Sequence, residues 1–230
     1  PNSRALLGGL CSDIDLSAEA FPFMSLREGS VAGISARVFR ISFSGELAFE
    51  INVSADDGAT LWESLMEAGS EYDITPYGTE TMHVLRAEKG YVIVGQDTDG
   101  SVTPADLGMD WIVSKTKDFI GKRSLVRSDM LRENRKQLVG LVTEQPQKVL
   151  PEGTQLVNEP STDYPVPMTG HVTSSYYSPI LGHSIALALV KGGHSRMGAS
   201  VYAPTLDGQL IEAIITSPVF YDPENRLHKT

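Results

Sequence analysis

Apolar and polar side chains alternate most clearly in residues 37–53 of the sequence. The apolar members of the first run are Phe39, Ile41 and Phe43, and those of the second are Leu47, Phe49, Ile51 and Val53. Ser44 and Gly45 lie between the two runs. Period-two alternation is typical of strands with one buried face, and small turn residues between two such runs favour a tight connection. The pattern therefore predicts a β-hairpin over residues 37–53.

Helical spacing of apolar residues predicts three helices in the N-terminal part of the chain. The first covers residues 3–11, with Ser3 as its N-cap. The second covers residues 54–69 and the third residues 79–90, and both end at a glycine. Met82 and Arg86 are four residues apart in the third helix, so they share one of its faces.

The pattern of the sequence changes near residue 137, where short apolar runs separated by turn residues begin. About six runs of strand length, with glycine and proline between them, predict an antiparallel sandwich or barrel. Before them, the apolar residues 91–95 predict a strand and the basic residues 122–136 predict a helix. We therefore expect an α+β fold with a first domain at residues 1–136 and a C-terminal β-barrel or jelly-roll domain at residues 137–230.

Composition narrows the partners and the compartment that we expect. The 230 residues carry 19 basic and 29 acidic side chains, and a net charge of -10 opposes binding to nucleic acid or to anionic lipid. No apolar run approaches the roughly 20 residues of a membrane span. A single cysteine, Cys11, is typical of a reducing compartment, so we expect a cytoplasmic protein with no nucleic-acid or membrane partner. The chain starts at Pro1 without an initiator methionine, and we expect it to be a piece of a longer protein.

The common catalytic and metal-binding motifs are missing from the sequence. It has no GxSxG, HExxH, CxxC, GxGxxG or phosphate-loop pattern, and its five histidines have no ligand spacing. Asp97, Asp99 and Gly100 match only part of a calcium loop, so we predict an acidic turn and no metal site. Cys11 has no basic neighbour to lower its pKa, which argues against a nucleophilic role.

Three polar features leave alternatives open. The alternation places Glu46 and Glu50 on one strand face, where they form either an acid and base pair or a pair of solvated side chains, and the pattern alone favours the second. Arg86 is either a surface ion-pair partner or a functional cation. The basic residues 122–136 are either a solvated face or a binding surface for a partner subunit or an acidic ligand tail.

Five short motifs give the chain a resemblance to a known family. They lie at residues 43–50, 85–90, 94–97, 103–108 and 118–121, in the same order as in the family, and include LRAEKG, TPADLG and DFIG. They resemble the tetrahydrofolate-binding domain shared by glycine-cleavage aminomethyltransferases (T-proteins), dimethylglycine dehydrogenases and sarcosine oxidases. The sequences HVLRAEKG and DFIGKRSL are most similar to the sarcosine oxidase branch, and the resemblance extends over essentially the whole chain.

The resemblance implies a set of folate-binding residues. Glu50 takes the position of the carboxylate that bonds the paired N–H donors of the pterin edge. Phe43 replaces the usual tyrosine of the same pocket, and Met82 replaces an arginine of the glycine-cleavage members. Arg86 keeps the second arginine of that helix, and Tyr91 completes the set. No catalytic residue falls within the chain, because the catalytic aspartate of the family belongs to an earlier segment, so we expect the chain alone to be inactive.

The resemblance also implies an incomplete folate-binding domain, with residues 1–28 closing an inserted lobe. It implies other subunits as partners, flavin and NAD bound outside this chain, and transfer of the one-carbon unit of sarcosine to tetrahydrofolate, giving 5,10-methylene-tetrahydrofolate. Two alternatives stay open. The chain is a part of an aminomethyltransferase or of a dimethylglycine-oxidising enzyme, or it is a subunit-interaction platform that binds no folate.

Overall fold

The structure is a computed structural model that describes residues 2–161 and 165–228. The chain divides into two compact units, of which one comprises Pro1–Leu85 and Asp222–Thr230 and the other Arg86–Tyr221. We call them the sheet unit and the barrel unit. The boundary near residue 137 that the sequence predicts for the domains stays a prediction.

The sheet unit combines helices with a three-stranded antiparallel sheet. Its helices are α1 (Ser3–Leu10), α2 (Gly58–Gly69) and the first part of α3 (Thr79–Glu88), and its strands are β1 (Leu26–Val31), β2 (Ile34–Phe39) and β3 (Glu50–Asn52). The spatial order of the strands is β1-β2-β3. The helices predicted from apolar spacing are confirmed, although Asn2 rather than Ser3 is the N-cap of α1. Ser3 instead donates a hydrogen bond from its hydroxyl to the carbonyl oxygen of Leu47, at 2.7 Å.

The two faces of this sheet differ, as the alternation of its residues requires. One face contributes to a core with the helices, which includes Leu7, Phe21, Val31, Val38 and Leu61. The other face is exposed and polar. Across it, Glu28 of β1 lies opposite Arg37 of β2, and Arg37 lies opposite Asn52 of β3.

The predicted hairpin is confirmed in its strand pairing and wrong in its turn. Strand β2 pairs with β3, with Phe39 opposite Glu50. The two strands are joined by a loop of residues 40–49 and not by a tight turn at Ser44 and Gly45. Alternation places Arg40 in solvent, but it is buried, and its hydrogen bonds draw the chain away from the ladder.

The barrel unit is built on a closed antiparallel barrel of six strands, which confirms the predicted C-terminal fold. The strands are β4 (Lys136–Thr143), β5 (Gln155–Val157), β6 (Met168–Ser178), β7 (His183–Lys191), β8 (Ser200–Pro204) and β9 (Leu210–Thr216). Their order around the barrel is β4-β7-β6-β5-β8-β9. Strand β7 is buried on both faces, because Ala186, Ala188 and Val190 join the inner core while Leu187 and Leu189 pack under loops outside.

The segment between α3 and the barrel lacks the strand and the helix that the sequence predicts. Residues 91–95 form only an isolated bridge from Val94 to Thr98, because the backbone N–H of Ile93 bonds the carboxylate of Asp97 and not a neighbouring strand. The basic residues 122–136 contain one short 3-10 helix, Lys122–Val126, and are otherwise irregular up to β4. Two further 3-10 turns, Ala105–Leu107 and Asp110–Ile112, precede it.

Candidate functional site

The loop of residues 40–49 in the sheet unit is held in shape by Arg40. Its guanidinium donates hydrogen bonds to the carbonyl oxygens of Ala48 (3.2 Å) and His228 (2.6 Å). It also lies 5.3 Å from the ring centroid of Phe49, within the range of a cation–π contact. Because Arg40 is almost fully buried, these contacts replace its hydration, and they fix the course of the loop from β2 to β3.

This loop and the strand after it present two of the residues that the resemblance assigns to folate. Phe43 lies in the loop with 47% of its surface exposed. Glu50 begins β3, and its side chain is exposed. Asn52 donates from Nδ2 to Oε1 of Glu50 at 3.0 Å, and no hydrogen bond from a described residue reaches Oε2. The sheet unit therefore offers one aromatic ring and one free carboxylate oxygen to a ligand.

Glu46 does not share a strand face with Glu50. It lies inside the loop and is partly buried, whereas Glu50 belongs to β3. The predicted common face is wrong, because residues 40–49 leave the ladder and the period-two alternation no longer sets the direction of their side chains. Strand geometry gives no support to an acid and base pair of these two glutamates.

Met82 lies on α3 in the sheet unit and is partly buried. Its thioether carries no charge and offers mainly apolar contacts. At this position the structure therefore supplies no cation for a folate carboxylate.

Arg86 and Tyr91 are brought together in the barrel unit, but through the backbone of Tyr91. Arg86 is fully buried. Its Nη1 donates to the carbonyl oxygen of Tyr91 at 3.1 Å and contacts the carboxylate of Asp97, and its Nη2 donates to Oγ of Ser174 at 2.6 Å. The guanidinium has no surface left for a ligand, so the structure gives Arg86 a structural set of partners.

Asp97 is the second member of this buried ion pair. The sequence predicted an acidic turn there and placed Asp97 at the end of the motif of residues 94–97, with no role for its side chain. Its Oδ1 accepts hydrogen bonds from Oγ1 of Thr173 and Oγ of Ser174, both at 2.6 Å, and its Oδ2 accepts one from the backbone N–H of Ile93 at 2.9 Å. Asp97 and Arg86 thus join the end of α3 to strand β6. The signals in the sequence were its position two residues after the apolar run 91–95 and its place at the end of the motif of residues 94–97.

The remaining acidic turn is a local structure. Asp99 accepts hydrogen bonds from the backbone N–H and the hydroxyl of Ser101, which lower the pKa of Asp99. Burial and the charge of Asp13 raise the pKa of Cys11, which opposes formation of a thiolate. Within residues 2–161 and 165–228, no three His, Cys, Asp or Glu side chains are grouped so that they could hold a metal ion. In the same residues, no helix has the length and the apolar character to cross a membrane.

A second buried ion pair fixes the segment that leads into the barrel. Nη2 of Arg135 lies 2.6 Å from Oδ2 of Asp106, which also accepts hydrogen bonds from the backbone N–H and the hydroxyl of Thr103, both at 2.8 Å. Burial acts to raise the pKa of Asp106, but the hydrogen bonds from Arg135 and Thr103 outweigh it and hold that pKa below its ordinary value. Arg135 also bonds the carbonyl oxygen of Ser101. Both ends of the segment from 101 to 135 are therefore tied to each other.

The chain is similar to several curated proteins over nearly its whole length. It is 52% identical over 227 residues to sarcosine oxidase subunit alpha of Corynebacterium sp. strain P-1, which corresponds to 97% of this chain and 23% of that protein. Identity to the subunit alpha of Rhizobium meliloti is 42%, over 99% of this chain and 23% of that protein. The aminomethyltransferase of Thermotoga petrophila is 32% identical, over 96% of this chain and 57% of that protein. The chain thus spans about a quarter of the length of its sarcosine oxidase relatives.

A solved structure agrees with the fold. The glycine cleavage system aminomethyltransferase T from Bartonella henselae matches with a TM-score of 0.78, at 23% identity, over 96% of this chain and 57% of that chain. The aminomethyltransferase-like fold that the resemblance implies is therefore confirmed.

Two family matches together account for most of the sequence. Residues 1–117 match the GCVT N-terminal domain, and residues 136–222 match the glycine cleavage T-protein C-terminal barrel domain. The second match covers the six strands of the closed barrel. The chain belongs to the glycine cleavage T-protein family.

Proposed function

We propose that this chain is the tetrahydrofolate-binding region of a sarcosine oxidase alpha subunit. The observation that carries the proposal is the exposed carboxylate of Glu50, whose Oε2 is free of hydrogen bonds from described residues. The pterin ring presents paired N–H donors along one edge, and a carboxylate is the side chain that matches them. Phe43, exposed on the loop that Arg40 fixes, supplies an aromatic face for the same ligand.

The other residues of the implied set take indirect parts in this proposal. Arg86 is a structural residue, because its guanidinium is buried and bonded within the barrel unit. Tyr91 contributes its carbonyl oxygen to that arrangement. Met82 offers an apolar contact. The chain thus contributes positioning and charge complementarity, and no nucleophile.

In the intact protein we propose that this region supports transfer of the one-carbon unit of sarcosine to tetrahydrofolate, giving 5,10-methylene-tetrahydrofolate. Flavin and NAD would be held by parts of the protein outside this chain, in a cytoplasmic assembly with other subunits. The identity of 52% to a sarcosine oxidase subunit alpha, against 32% to an aminomethyltransferase, supports this choice within the family.

Calorimetric titration of folinic acid, a stable tetrahydrofolate analogue, into the full-length protein tests the role of Glu50. Glu50→Gln keeps the size of the side chain and removes its charge. A hydrogen bond to a charged group contributes about 1.5 to 3 kcal/mol, so we expect a dissociation constant roughly 10- to 150-fold larger.

Glu28→Gln is the matched control for this titration. Glu28 is also an exposed glutamate on the polar face of the same sheet, but it lies on β1, at the opposite edge from Glu50. Its substitution should leave the affinity unchanged. An affinity that is the same in Glu50→Gln as in the unsubstituted protein would exclude Glu50 as the pterin contact.

Two other functions can be separated from this one. A free aminomethyltransferase is separated by the sequence upstream of this chain. A dinucleotide-binding fingerprint is expected there in a sarcosine oxidase alpha subunit and not in a free aminomethyltransferase. A subunit-interaction platform without folate binding is favoured by Met82 and Phe43, which replace the usual arginine and tyrosine. Tight binding of folinic acid to the full-length protein would exclude it.

A further inference from the structure

The segment of residues 111–131 in the barrel unit exposes an unusual number of large apolar side chains. Ile120 is fully exposed, and 79% of Trp111 and 67% of Val126 are open to solvent. The complete set is Trp111, Ile112, Phe119, Ile120, Val126 and Leu131. Single exposed apolar residues are common on protein surfaces, whereas larger groups of them are typical of interaction sites. We call it the apolar segment.

The apolar segment also contains a cleft. Its volume is about 440 Å³, and its apolar lining includes Val113, Phe119, Leu125 and Met130. A cleft of this size accepts one or two large side chains from another protein. An aromatic or aliphatic anchor in such a depression is the usual centre of a protein interface.

The apolar segment also carries a local excess of positive charge. Residues 115–132 contain six basic and two acidic side chains, in a chain whose net charge is -10. Lys122 and Arg132 pair with Asp118 and Asp129. The other four, Lys115, Lys117, Arg123 and Arg127, are exposed and form no ion pair with a carboxylate of the residues that the structure describes. Charge complementarity therefore favours a partner whose apolar residues are bordered by Asp and Glu.

The shape of the segment is set by the barrel unit. The ion pair of Arg135 with Asp106, and the bond of Arg135 to the carbonyl oxygen of Ser101, tie together the residues that flank the apolar segment on its two sides. A surface that is fixed before binding loses less conformational entropy in the complex than a mobile loop.

We propose that the apolar segment is the docking surface for another subunit of the same enzyme, which presents apolar side chains within an acidic rim. The proposal rests on the proposed function only in assuming that the protein has partner subunits. A symmetric contact with a second copy of this chain would place two positive segments against each other, which is unfavourable. Nucleic acid is disfavoured because the chain as a whole is strongly acidic.

The test measures association of the full-length protein with its purified partner subunits, by biolayer interferometry and by native mass spectrometry. Ile120→Ser removes an exposed apolar side chain, and the double variant Arg123→Glu/Arg127→Glu reverses two unpaired charges. We expect each to raise the dissociation constant of the complex at least tenfold. The charge variant should also weaken the dependence of that constant on salt concentration.

Matched controls carry the same chemical changes at other places on the barrel unit. Leu206→Ser alters a fully exposed leucine between β8 and β9, and Lys191→Glu reverses an exposed charge at the end of β7. Neither should change the association. Affinity for folinic acid is measured on every variant and should stay constant, which separates a failure of this proposal from a failure of the proposed folate site.

Three results would overturn the proposal. The first is unchanged association of both segment variants with the partner subunits. The second is a lower melting temperature of the isolated full-length protein in Ile120→Ser and Trp111→Ser but not in Leu206→Ser, which would show that the rest of its own chain covers the segment. The third is loss of self-association without loss of partner binding, which would assign the segment to a second copy.

Discussion

The buried ion pair of Arg86 with Asp97 gives the sharpest prediction about stability. Arg86 and Asp97 are both fully buried, and Asp97 has three further donors, all of them neutral. In Arg86→Met the side chain keeps its approximate length and loses its charge, while the carboxylate of Asp97 stays buried. The neutral hydrogen bonds contribute about 1 kcal/mol each and do not replace the lost cation. Removal of one member of a buried pair costs about 3 to 5 kcal/mol.

Hydrogen exchange followed by mass spectrometry measures this loss in the barrel unit separately from the sheet unit. Peptides from β6 and β7 report the opening of the barrel, and a loss of 3 to 5 kcal/mol should speed their slowest exchange by roughly two to four powers of ten. Arg132→Met is the matched control, because Arg132 pairs with Asp129 at the surface. An exposed pair contributes about 0 to 1 kcal/mol, so its removal should change the same peptides by less than about tenfold.

A double variant shows whether the loss comes from the unpaired charge. In Arg86→Met/Asp97→Leu neither charge of this pair is left, and part of the stability should return relative to the sum of the two single losses. The reasoning would be refuted if Arg86→Met cost no more than Arg132→Met, or if the two single losses were simply additive.

Three further predictions concern single groups. Arg40→Met should lower the urea midpoint of the sheet unit, as measured by hydrogen exchange of peptides from that unit. The reason is that the carbonyl groups that Arg40 bonds lose a charged donor worth about 1.5 to 3 kcal/mol. An unchanged midpoint would mean that the loop does not need Arg40. Gly90→Ala should cost more than about 1 kcal/mol, since Gly90 has φ +67° and a Cβ there would lie 2.5 Å from the carbonyl oxygen of Pro218; a loss below that value in thermal unfolding would contradict the geometry. The pKa of Asp106 is lower in the folded protein than in the unfolded chain, where it is about 3.9. The carboxylate therefore adds stability to the barrel unit that is fully present above the unfolded pKa and is lost as the pH falls through the folded pKa. The difference in urea midpoint between the unsubstituted chain and Asp106→Asn should be constant from pH 7 to pH 5 and shrink below about pH 4. A difference that is independent of pH would show that the charge of Asp106 is not involved.

The sequence predicts those elements whose side chains follow a period over their whole length. The helices at Ser3–Leu10 and Gly58–Gly69 and the barrel strand Leu210–Thr216 are of this kind, because one face of each is buried against its own unit. The prediction is wrong where a side chain forms hydrogen bonds with groups that are distant in the sequence. Arg40 lies in a run that alternates like a strand, yet its bonds to distant carbonyl groups make residues 40–49 a loop.

The same reason limits what the sequence could indicate about the site. Asp97 and Asp99 are two residues apart in one acidic turn, and nothing local separates the buried partner of Arg86 from the residue that only caps the turn. Val94 belongs to an apolar run and is 86% exposed, because the turn closed by Asp97 replaces the predicted strand. Glu50 could be singled out only through the resemblance, since its exposure is that of an ordinary strand residue.

The position of β3 at the edge of its sheet has a consequence for how the proposed folate site is composed. Within the described residues, β3 pairs with β2 on one side and leaves the backbone groups of its other side open. A strand from elsewhere in the parent protein that paired there would place its side chains about 4.5 to 5.5 Å from those of β3, Glu50 included. The immediate neighbours of Glu50 would then be encoded outside this chain. Two relatives with identical residues 1–230 could differ in their folate affinity for that reason alone.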